Sequence, residues 1–176
     1  MNIDKKILDK LYNLAVKAYK KGEIPVSAII LDKNNKIIAA KYNNRQNEYN
    51  ILGHAEILAI QKAEKKIKDW RLDGYKMIVS LEPCDMCSMI INKSRIDHVY
   101  YILSSESTDK NEIYNLEKTK IKIDKKIEMK FQKLLTDFFD NKRWKPLILW
   151  YNITQEGLLW HIKFYIENID LITLIM

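Results

Sequence analysis

His54 and Glu56 stand two residues apart, and Cys84 and Cys87 stand three apart behind Pro83; together they are the residue types that a metal-activated water needs. One imidazole and two thiolates suit Zn²⁺ in softness and number, and three protein ligands leave the fourth tetrahedral position for water. A dication against two thiolates keeps the centre near neutral, and metal polarisation brings the pKa of the water down towards ~7. Glu56 is read as a non-ligand that takes the proton from the attacking water and hands it to the reacting group. The chemistry expected of such a set is hydrolytic displacement with one zinc per subunit.

The spacing predicts how these residues are held. A helix entered through Pro83 and running from Cys84 to Ile91 places both sulfurs on one face, because positions three apart are neighbours. Pro83 suits the first turn, where its missing N–H leaves nothing unpaired, and a cysteine at a helix N-terminus has its thiolate favoured by the dipole. His54 and Glu56 would diverge in mid-helix, so both reach one site only from the first turn of a helix pointing end-on at the metal. Gly53 before them and Ile57, Leu58 and Ile60 after them fit a helix starting there. Two other readings stay open at this level. A C-x-x-C pair that follows a strand and opens a helix suits redox chemistry, and a structural Cys₂His₂ site would need His98 or His161, which read instead as surface or strand-end residues.

The elements around these motifs follow from periodicity. Ile7, Leu8, Leu11, Leu14, Ala15 and Ala18 form a helical stripe over residues 4–20, closed by Gly22. Residues 26–31 and 37–42 read as a hairpin around the turn Asp32, Lys33, Asn34 and Asn35. A polar loop, 43–53, leads into the His54 helix, which runs to about Lys66. Strands are predicted at 75–80 and 99–103, with a fifth at 121–123. A last amphipathic helix over 126–143 carries Ile127, Phe131, Leu134, Leu135, Phe138 and Phe139 on its apolar side. The order α-β-β-α-β-α-β-β-α implies an α/β fold with helices on both faces of one mixed sheet.

At 176 residues the chain reads as one domain with a sizeable core. Both cysteines are assigned to metal, which fits a reducing cytoplasm, and the charged N-terminus has no apolar segment of the secretory kind. The net charge of +7 invites a nucleic-acid reading, but Arg45, Arg71, Arg95 and Arg143 are the only arginines, and the lysine excess looks compositional. Residues 1–145 are taken as the catalytic domain and 146–176 as an apolar C-terminal extension. Glu156, Lys163, Glu167 and Asp170 interrupt any run long enough to span a membrane, so the extension is expected to pack on the body or on a second subunit.

Further segments carry a family likeness: Glu23, Ile24, Pro25 and Val26 before the first strand; Asn43 ahead of His54; Trp70, Arg71 and Leu72; Leu81 to Cys87; Ser94, Arg95 and Ile96; and Leu134 to Phe139. With the H-x-E and P-C-x-x-C motifs, which are those of zinc base deaminases, residues 5–143 resemble the bacterial tRNA-specific adenosine deaminases. That resemblance implies a three-layer α/β/α, cytidine deaminase-like fold with a central mixed five-stranded sheet, assembled as a homodimer. It implies hydrolysis of adenosine to inosine at the anticodon wobble position (34), on the arginine tRNA with anticodon ACG. His54, Cys84 and Cys87 would hold zinc and Glu56 would carry protons. Asn43 would hydrogen-bond the purine or ribose, and Val26 would line the pocket. Phe138, Phe139 and Arg143 would meet flanking nucleotides, with Arg45 near a phosphate. The anticodon arm supplies a splayed base without any duplex to break.

The chain departs from the family at three places. Residues 104–110 lack the usual glycine turn, with Asp109 and Lys110 as the only acid–lysine pair there. Gly53 replaces the usual alanine, a change expected to be tolerated. The extension after Pro146 has no counterpart. Two rivals share the motifs: a deaminase of free bases or nucleotides (guanine, cytosine or dCMP), and a non-catalytic RNA-binding subunit with structural zinc, which would have no use for Glu56.

Overall fold

A computed structural model describes residues 3–105 and 116–153, with side chains to residue 141. His161, Asp109 and Lys110 lie outside the described residues, as does most of the extension. Helix α1 (Lys5–Lys20) starts at Asp4, whose carboxylate accepts the Lys6 N–H at 2.9 Å. Strands β1 (Ser27–Leu31) and β2 (Ile37–Tyr42) make the expected hairpin. Its turn is held by Asp32 Oδ1, which accepts the N–H groups of Asn34 and Lys36, with Asn35 at a left-handed φ of 61°. Then follow α2 (Ala55–Ile67), β3 (Lys76–Leu81), α3 (Asp85–Lys93), β4 (His98–Leu103), β5 (Lys118–Lys120) and α4 (Lys125–Ile153).

The sheet order is β2-β1-β3-β4-β5. β1 is antiparallel to both β2 and β3, while β3–β4 and β4–β5 are parallel. The central strands alternate between two apolar clusters. Ala28, Ile30, Met77 and Val79 face Ile57, Ile60 and Ile91 of α2 and α3, whereas Ile29, Leu31 and Ile78 face Leu8, Leu11 and Phe131 of α1 and α4. This is the three-layer α/β/α arrangement with a mixed five-stranded sheet. Because β3 is parallel to β4 and ends at Leu81, its carboxyl end delivers the Pro83–Cys87 segment to the same edge from which α2 departs.

Two boundaries differ from the sequence expectation. The fifth strand lies at Lys118–Lys120, not at 121–123. The ladder pairs Val99, Tyr100 and Tyr101 with Lys118, Thr119 and Lys120, and the apolar signal belongs to Ile121, which plugs the core at the strand's end and is 7% exposed. The last helix begins at Lys125 and continues to Ile153, past the 143 at which it was expected to stop. No helix among the described residues is long and apolar enough to cross a membrane.

Candidate metal centre

His54 is the N-cap of α2 and Cys84 the N-cap of α3, both in extended backbone, so the two helices present their N-termini to the same point. Glu56 then falls in the first turn of α2 and Cys87 in the first turn of α3, as the end-on geometry requires. Pro83 sits one position earlier than expected, before the cap rather than inside the first turn, and its carbonyl accepts the Ser88 hydroxyl at 3.4 Å. His54 Nδ1 lies 3.4 Å from Cys87 Sγ and 3.8 Å from Cys84 Sγ, and the three donor atoms all lie within 4.8 Å of one another. Zn–S bonds of ~2.3 Å and Zn–N bonds of ~2.0–2.1 Å at a tetrahedral angle set donors about 3.6 Å apart, so the observed separations fit one zinc ion.

The protonation pattern fits a dication as well. The hydrogen bond with Cys87, and then that with His54, bring the Cys84 thiol down to about 4 despite burial. The ionised Cys84 and burial push Cys87 up. Without a cation the pair ionises once, and the second thiolate needs the positive charge. His54 is raised, first by its hydrogen bond to Cys84.

Glu56 stands outside the ligand group and is 4% exposed. Burial above all pushes its carboxyl up to about 7, and its Oε2 has no hydrogen-bond partner. A buried carboxyl with an orphaned oxygen beside a metal-binding group is chemically able to exchange protons there. The same feature argues against a purely structural zinc site.

The surrounding loop is built with unusual care. Asn43 is 6% exposed; its N–H donates to Val26 O at 3.0 Å and its Oδ1 accepts the Ala55 N–H at 2.8 Å. Asn43 thus caps the helix that carries His54 and Glu56, while its Nδ2 has no acceptor among the described residues. Val26 is 6% exposed at the entry to β1, in the cluster shared with α2.

Sequence reasoning missed Glu23. Its carboxylate, 1% exposed, accepts the N–H groups of Arg45, Gln46 and Asn47 and the Asn47 side-chain amide, at 2.7–3.1 Å. Gly53 stands where the resemblance has alanine, and here a Cβ would meet Asn44 O at 2.6 Å and Arg45 Cα at 2.7 Å, both backbone, so the loop of this chain is closed around a glycine. Phe138 is 4% exposed and packs edge-on against Tyr19, whereas Phe139 is 38% exposed. Arg143 lies in α4, and its side chain is outside the described residues. His98 opens β4 and bonds Glu117 and Thr119, away from the metal cluster.

This sheet, with two helix N-termini meeting at a His–Cys–Cys group, is the arrangement of a zinc-binding deaminase family domain. Residues 1–103 match the model of the cytidine and deoxycytidylate deaminase zinc-binding region, and the chain belongs to that family. Within it, the chain is a member of the tRNA-specific adenosine deaminase group, being 37% identical to that protein of Buchnera aphidicola over 132 residues, 72% of this chain and 87% of the relative. The tRNA-specific adenosine deaminase of Rickettsia bellii is 45% identical over 85 residues, 48% of this chain. There the match spans only 59% of the relative's length. Among solved structures, one from a study of A-to-I editing by tRNA:A34 deaminases superposes with a TM-score of 0.60 at 24% identity, covering 66% of this chain and 97% of that one. The guanine deaminase of Nitrosomonas europaea superposes at 0.64 with 18% identity, over 77% and 86%. Both share the fold.

Proposed function

We propose that this chain deaminates adenosine to inosine in tRNA, acting at the wobble position (34) of the arginine tRNA with anticodon ACG. The observation that carries the deamination is Glu56, a buried carboxyl beside, but not within, the His54, Cys84 and Cys87 group. Zinc bound by those three residues would supply the Lewis acidity that makes water a nucleophile at neutral pH. Glu56 takes a proton from the water as it adds to the purine C6 and passes it to the ring nitrogen; it then takes the proton of the hydroxyl now on C6 and passes it to the amine, so that C6=O forms as the C–N bond breaks and ammonia leaves. Asn43 Nδ2 holds the purine or ribose, and Val26 borders the pocket. Phe139 offers a ring to a flanking base, with Phe138 supporting the helix behind it and Arg143 meeting a phosphate. The relatives named as tRNA-specific adenosine deaminases support a tRNA substrate.

Residues 1–145 form the deaminase domain in this reading, 146–176 an extension, and the enzyme works as a cytoplasmic homodimer. The test is inosine formation at position 34 of an ACG stem-loop beside free adenosine, guanine and cytidine. Inosine in the stem-loop alone supports the reading; turnover of a free base or nucleoside instead would move the chain to the small-molecule deaminases.

A further inference from the structure

Between Lys118 and Lys133 the chain carries seven lysines against Asp124 and Glu128, a net +5 of the whole protein's +7. This segment is β5, the turn after it and the first two turns of α4. All seven lysines are exposed. Lys118, Lys120 and Lys133 pair with Glu82, Glu128 and Asp137, while Lys122, Lys125, Lys126 and Lys130 have no ion pair among the described residues. Lysines on an edge strand protect it from pairing with another chain, which accounts for those on β5 and not for those on α4. Lys125 and Lys126 stand in the first turn of α4, where the helix dipole disfavours cations, so stability does not explain them either.

The location matters. β5 is two strands from β3, about 10 Å across the sheet, and parallel to it through β4, so its end points to the edge that carries the metal cluster. A hollow of about 250 Å³ lies along β5 and the turn after it, lined by Tyr100, Thr119, Lys120, Ile121 and Lys122. We propose that this lysine-rich β5–α4 edge binds the phosphate backbone of the RNA stem beyond the loop that enters the site. The proposal rests on the tRNA reading and adds a second contact surface to it. Ammonium groups on flexible stems suit phosphates as point charges and carry no sequence information.

The test compares the wild type with the triple variant Lys122→Gln/Lys125→Gln/Lys126→Gln and a charge-matched control, Lys62→Gln/Lys65→Gln/Lys68→Gln, on α2 and its C-cap. Whole tRNA and a short ACG stem-loop are titrated across a salt series. The β5–α4 variant should weaken whole-tRNA binding about tenfold or more and flatten the slope of log K against log salt by about 2–3, with the control unchanged. Its melting temperature should hold or rise, and its turnover of the bound short stem-loop should match wild type. Equal slopes and affinities in wild type and variant would overturn the proposal. So would loss of binding to phosphatidylserine vesicles with RNA affinity intact. Absence of inosine with the wild type would instead count against the tRNA reading, leaving the slope to judge the surface.

Discussion

Asn43 Oδ1 accepts the N–H of Ala55 at 2.8 Å, and Ala55 is the residue between His54 and Glu56. A single amide therefore fixes the start of the helix that supplies both His54 of the metal group and the Glu56 carboxyl. Losing a side-chain cap costs about 0.5–2 kcal/mol, so Asn43→Ala should lower stability by that order and loosen zinc. Asn43→Asp keeps the acceptor and drops the Nδ2 donor. It should restore melting temperature and zinc content while leaving kcat/KM impaired. Full activity in Asn43→Asp would remove the Nδ2 donor from substrate binding.

Glu56 has a different profile, because its carboxyl is buried with Oε2 unpartnered. Glu56→Gln should retain zinc and fold at least as well as wild type, since it relieves a buried ionisable group. Turnover should fall by ~10²–10⁴ or more, the usual worth of general acid–base catalysis. Metal analysis and single-turnover assays check both halves; near-normal turnover would take Glu56 out of the chemistry.

Glu23 gives a pH-dependent prediction. Burial alone raises its pKa, but the hydrogen bonds from Asn47, Gln46 and Arg45 outweigh that, and the carboxyl ends below its ordinary 4.5. A depressed native pKa means stability that is present above the unfolded value and lost as pH falls through the native one. The wild type should thus exceed Glu23→Gln in stability at pH 7, and the gap should close below about pH 4. Urea unfolding at pH 7, 5 and 3.5 measures it; a gap independent of pH would assign the effect to packing.

The contrast between Glu56 and Glu23 shows what was legible in the sequence. His54, Glu56, Cys84 and Cys87 are short-range motifs whose i, i+2 and i, i+3 spacings have one geometric solution, two helix N-termini, and the structure adopts it. The hairpin and the helices follow from the period of their apolar residues. Glu23 acts over 22–24 residues on backbone N–H groups, which carry no sequence signature. β5 was displaced by the same logic: its ladder residues are polar because they form an exposed edge, and the apolar Ile121 beside them drew the assignment. The buried Phe138 and the exposed Phe139 share one apolar stripe, and only packing separates them.

Gly53 stands where the family usually has alanine, and in this chain the reverse change, Gly53→Ala, meets resistance. The Cβ would approach Asn44 O, Arg45 Cα and Arg45 N at 2.6–2.8 Å, all backbone. Glu23 pins that backbone from the other side, so the 44–47 segment cannot simply retreat. Gly53→Ala should cost about 1–3 kcal/mol, the range for overpacking a fixed site. Combining it with Glu23→Gln should cost less than the sum of the two, because the clamp that resists movement is gone. A double-mutant cycle by thermal unfolding checks the coupling; strict additivity would mean the loop yields elsewhere.

Zinc loading should release protons, and the sulfur pair says from where. In the metal-free cluster Cys84 is ionised, at about 4, while Cys87 is held protonated by its ionised neighbour and by burial. His54, raised above its ordinary value first by its hydrogen bond to Cys84, also holds a proton more readily than a free imidazole. Coordination requires two thiolates and a neutral imidazole, so titrating zinc into chelator-stripped protein at pH 7 should release about one to two protons per ion. Raising the pH should tighten binding accordingly. Cys87→Ala should abolish stoichiometric zinc and deamination together, and the released protons with them. Release of no proton at pH 7 would mean that both sulfurs are already ionised, and the charge argument for the dication would fall.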